Sequence, residues 1–158
     1  MNVQERVEFF KKQITLEKKI VESANASVKD VTNALVKELI LGIAMDSNKH
    51  ASLLNALIAL NTGSTPLIPE EITDQLRMNV EKHIKLEQKA IDTYKELWEE
   101  LIDEREKVVI KSILSDEIRH HQLLKRIHTM IVEKEALTEQ DIWDWTWKDS
   151  LFHGSPGG

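Results

Sequence analysis

Laid on itself at a shift of 70 residues, the chain matches, and that repeat limits the fold more than any single stretch does. His50 falls on His120, Asp46 on Asp116, and Leu53 and Leu54 on Leu123 and Leu124. Lys12, Ile14, Leu16, Glu17 and Lys19 fall on Lys82, Ile84, Leu86, Glu87 and Lys89. Asn33 falls on Asp103, and each is well placed to cap the helix that follows it. No gap is needed inside either half, so the expectation is one helical hairpin made twice, over residues 3–61 and 71–134.

Apolar periodicity gives each half two long helices, near 3–29, 34–61, 71–101 and 103–134. The inward stripe of the first carries Phe10, Gln13 or Ile14, Glu17, Ile20, Ala24, Val28 and Val31, with Glu17 in its middle. The second presents Ile43, Ser47, His50, Leu54 and Leu57, and the third Val80, Ile84, Glu87, Ile91 and Tyr94. In the fourth, Ile113, Glu117, His120, Leu124 and Ile127 share one face. Glu117 and His120 are three residues apart, one turn of helix, so both point the same way. A carboxylate among aliphatic positions is expensive unless it is paired or holds a metal. His83 stands four residues before Glu87, but its counterpart in the first half is Gln13, and it is placed at the flank of the site.

Composition narrows the chemistry. The chain has no cysteine, so a metal here would be held by carboxylate and imidazole, which favours iron, manganese or zinc over soft ions. A formal charge of -6 without a basic cluster argues against nucleic acid or an anionic membrane as partner. The longest apolar run, Leu39 to Met45, is far short of a membrane span. The opening MNVQERVEFFKK carries no signal-peptide core, so the expected location is cytoplasmic.

Four long helices, a mid-helix Glu on the first and third, and Glu-x-x-His on the fourth resemble the ferritin-like di-iron carboxylate superfamily, nearer its rubrerythrin and erythrin branch than cage ferritin. The resemblance spans about residues 5–132 and implies an all-α, ferritin-like four-helix bundle. It also implies a metal site drawn from Glu17, His50, Glu87, Glu117 and His120, with Tyr94 as the tyrosine that often stands beside such a centre. Ferroxidase, peroxidase or oxidase activity follows from it, with O2 or peroxide as reactant.

One departure from the family pattern is Ser47, where the second helix should carry the counterpart of Glu117. Asp46 is next to it and either reaches the metal itself or, like Asp116, orients a ligand histidine through its second ring nitrogen. The remaining set carries three carboxylates, enough for one divalent ion and for two with added water or anion. A structural or regulatory bundle with a degenerate site, or a non-redox zinc or haem protein, are the competing readings.

The stretch TGSTPLIPEE between the halves is rich in turn formers. If the third helix runs parallel to the second, as in ferritin-like folds, the link must rise about 38 Å. Eleven steps from Asn61 to Ile72 reach about 36–40 Å when fully extended. So taut a link favours a homodimer, with hairpins side by side or exchanged between chains. Residues 1–135 are expected to form the bundle, and 136–158 a short Trp-rich helix capped by Thr138 followed by a loose HGSPGG tail.

Overall fold

The computed structural model describes residues 1–64 and 68–132. The expected Trp-rich helix lies outside them. The protein is all-α, with α1 (Val3–Ser27), α2 (Ala34–Asn61), α3 (Glu70–Glu100) and α4 (Glu104–Val132). It divides after Leu67 into two units, α1 with α2 and α3 with α4. No helix among the described residues is long and apolar enough to cross a membrane.

Three of the four helices begin where the sequence provides a side-chain cap. Asn2 Oδ1 accepts from the backbone N–H of Glu5 at 2.9 Å, and Glu5 Oε2 accepts from that of Asn2 at 2.8 Å, a reciprocal capping box. Asn33 Oδ1 accepts from Val36 N–H at 3.0 Å, and Asp103 Oδ1 from Arg105 N–H at 2.8 Å, as the matched positions predict. α2 stops sharply. Gly63 takes φ +71°, which frees Ser64 N–H to donate to Ala59 O at 2.9 Å and Gly63 N–H to Leu60 O at 3.3 Å. This is the Schellman ending that glycine permits. Pro69 then precedes the first turn of α3, where its missing N–H costs nothing.

Both pairs are antiparallel. Arg6 Nε at the start of α1 donates to Asn61 Oδ1 at the end of α2, at 3.1 Å. In the second pair, His128 Nε2 near the end of α4 bonds Glu81 Oε1 near the start of α3 at 2.9 Å. The first pair buries Ile14, Ala24, Val28, Ala44 and Ser47, and the second Val80, Ile91 and Ile131. Ile20, Ile43 and Leu57, expected on inward stripes, are 36%, 56% and 39% exposed. The stripe is wider than the single line of contact along which two helices interdigitate, so only its central positions are covered by the pair.

Asp103 also engages the Arg105 side chain, Nε to Oδ1 at 3.0 Å, and this bond, aided by backbone N–H groups, holds its carboxyl at about 2 against a usual 3.8. A carboxyl lowered in the folded state stabilises it above the unfolded value and loses that effect as pH falls through the folded one. The stability gap between wild type and Asp103→Asn is therefore expected to close between about pH 4 and about pH 2, read from urea midpoints.

Candidate metal centre

In the second unit, α3 supplies Glu87 and α4 supplies Glu117 and His120, and one ligand atom from each lies within 4.8 Å of the others. Among the described residues this is the one group of three or more such side chains. The helix spacing sets it up: Glu117 and His120 project together from α4, and the antiparallel pairing brings Glu87 opposite them. Access falls inward, with the Glu87, Glu117 and His120 side chains 11%, 23% and 43% exposed.

The cluster has too much negative charge for itself. Glu117 is pushed above the usual carboxylate range, first by a hydrogen bond to Glu87, then by burial and by the Glu87 charge. His120, with Nδ1 3.8 Å from Glu117 Oε2, opposes that rise. Oε2 of Glu87 is sealed from solvent and has no hydrogen-bond partner. A buried carboxylate oxygen without a donor, beside a second carboxyl whose charged form is disfavoured, is what a cation would relieve. Two oxygen donors and one imidazole suit a divalent transition ion of borderline hardness, iron included. The residues fit such a metal.

The first unit repeats part of this. Glu17 Oε1 lies 3.3 Å from His50 Nδ1, with Glu17 20% and His50 51% exposed. Ser47 is buried at 4% exposure on the same helix, so the position of the absent carboxylate faces inward as the repeat requires. Asp46 pairs with Lys49, and Asp116 with Arg119 at 2.8 Å, so each matched acid is held by the base three residues on. Lys49 and Arg119, each next to a matched histidine, therefore form ion pairs. Tyr94 is half-buried on α3, two turns beyond Glu87.

Two histidine contacts escaped the sequence reading. His83 Nε2 lies 3.0 Å from Glu87 Oε1, although its i,i+4 spacing was visible. His128 is half-buried against Glu81, a contact across helices that no local spacing announces. It draws the Glu81 carboxyl below its usual range, with Arg77 assisting. His121 is half-buried too, and burial lowers it, with Lys125 adding to the effect and Glu87 and Asp92 opposing it.

No curated protein and no solved structure matches the chain. The rubrerythrin family model does match, over residues 22–128, a span that holds Ser47, His50, Glu87, Glu117 and His120 and begins after Glu17. On that match, over most of its length, the chain belongs to the rubrerythrin family.

Proposed function

We propose that this protein is a metal-dependent oxidoreductase whose α3–α4 cluster holds iron, or manganese in its place. The observation that carries the reading is the Glu87–Glu117 pair, with one oxygen buried and unpartnered and one carboxyl raised by its neighbour. Glu87 and Glu117 would bind through oxygen and His120 through nitrogen. Glu17 and His50, already 3.3 Å apart, would form a second and weaker ligand pair. Bound iron would supply electrons to O2 or peroxide through its open positions, as a ferroxidase, peroxidase or oxidase. The protein's own part is to hold the ligands, to limit water at Glu87, and to set two carboxyls close enough that a cation is favoured between them. Tyr94 is the candidate redox-active side chain beside the centre. Asp46 would orient a ligand histidine or serve as a further ligand itself.

Anaerobic addition of Fe2+ is expected to raise the melting temperature, by about 2.7 kcal/mol of stability at a hundredfold excess over Kd. It should then drive uptake of O2 or peroxide. A melting curve indifferent to Fe2+ and Mn2+ would leave the structural-bundle reading in its place. Ser47 favours that reading for the first unit, where two strong ligands rather than three remain.

The raised Glu117 gives a second check. Its pKa is higher folded than unfolded, so the metal-free protein loses stability as pH rises from the ordinary carboxylate range through the raised value. Metal competes with that proton. Binding in weakly buffered solution is expected to release acid within this window and less above it, measured with a pH electrode or by calorimetry in buffers of different ionisation heat.

We further propose a homodimer, supported by the aliphatic side chains Leu16, Ile43, Met45 and Leu53 that α1 and α2 leave exposed. Light scattering gives the mass directly.

A further inference from the structure

The two halves differ in what holds the carboxylate of their first helix. In α1–α2, Glu17 Oε1 lies 3.3 Å from His50 Nδ1, so the acid is engaged by the very imidazole that would share a metal with it. In α3–α4 the matched histidine, His120, stands nearest Glu117, at 3.8 Å. Glu87 is engaged instead from outside the cluster. His83, one turn earlier on α3 and 56% exposed, places Nε2 3.0 Å from Glu87 Oε1. The other oxygen, Oε2, is buried without a hydrogen-bond partner, and Glu87 offers a ligand atom within 4.8 Å of those of Glu117 and His120. Residue 13, the counterpart of His83 in the first half, is Gln.

We propose that His83 is a positioning residue for the metal centre: from the solvent side it fixes one oxygen of Glu87 so that the other faces the point shared with Glu117 and His120. This rests on the metal-binding reading of that cluster. The physical reason is rotamer freedom. A glutamate has three side-chain torsions to order before it can act as a ligand, and a donor one helical turn away orders them in advance. The imidazole can do this without being a ligand, because its ring nitrogen engages Oε1 alone and leaves Oε2 without a partner. The same contact leaves His120 free of Glu87, whereas His50 is occupied by Glu17. In α3–α4 the first-helix carboxylate is thus oriented by a group outside the cluster, whereas in α1–α2 it is oriented by His50, the imidazole that would share the metal.

The test is titration of the full chain with Co2+ alone, read by calorimetry and by the visible cobalt spectrum, in wild type, His83→Ala, His83→Gln and Glu117→Ala. His83→Ala is expected to weaken Co2+ binding about tenfold or more, the usual range for loss of a group that orients a ligand. Its metal-free melting temperature should stay unchanged, because the side chain is exposed. His83→Gln, whose amide N–H can donate to Glu87 from the same turn, should restore most of the affinity with an unaltered cobalt spectrum. Wild-type affinity in His83→Ala would overturn the proposal. So would a His83→Gln protein as weak as His83→Ala or with a changed spectrum, since the imidazole would then be a ligand itself. Failure of wild type to bind Co2+, or binding by Glu117→Ala as tight as wild type, would instead remove the metal-centre reading and this proposal with it.

Discussion

Glu87→Gln is expected to make the metal-free protein more stable and the metal-loaded protein less so. Glu117 is raised first by its hydrogen bond to Glu87, then by burial and by the Glu87 charge, and one oxygen of Glu87 is itself buried without a donor. An amide removes the charge, supplies an N–H, and keeps an oxygen for His83. Relief of such a functional conflict typically yields about 1 kcal/mol, or roughly 2–4 °C for a chain of this size. The metal arm moves the other way. Loss of the most buried of three ligands should abolish the thermal shift produced by Fe2+, so the two melting curves cross when metal is added. Calorimetric scans of both proteins with and without Fe2+ decide it. A Gln variant that melts lower than wild type without metal would show that the pair is not in conflict, and the strongest support for a cation there would be gone.

Ser47→Glu is expected to have the largest effect, again with opposite signs in the two states. Ser47 is 4% exposed, and its repeat partner is Glu117. A longer, ionisable side chain at that position must be accommodated, at a cost of about 1–3 kcal/mol for crowding alone, and more for burial of charge. Without metal the variant should melt several degrees below wild type. With metal, a third strong ligand joins Glu17 and His50, and the ratio of iron to protein should rise, with the lost stability recovered. Calorimetric stoichiometry and Mössbauer spectra of iron-loaded protein report the second position. An unchanged ratio would mean that residue 47 does not stand at a ligand place.

The helices were legible because their signals are local. Asn33 and Asp103 cap where the repeat puts them, and the four helices begin and end within two residues of the expected positions among the described residues. Glu87, Glu117 and His120 were legible for a different reason: polar groups in phase with an apolar stripe must face inward. What pairing they make there was not. Whether Glu17 meets His50 or a metal, and whether His83 reaches Glu87 or solvent, is decided by side-chain torsions that spacing does not fix. His128 and Glu81 are 47 residues apart, and no repeat partner flags them. The full width of the inward stripes was overestimated in the same way, since periodicity marks which face is apolar and not how much of it a single neighbour can cover.

The Schellman ending at Gly63 also fixes where α2 can stop. At φ +71° the residue lies in the left-handed region that side chains with a Cβ rarely adopt. Nothing lies within 4 Å of the place a Cβ would take, so the demand for glycine there is set by the backbone and not by crowding. The exit of α2 is thus a conformational lock, independent of how well any neighbour packs against it.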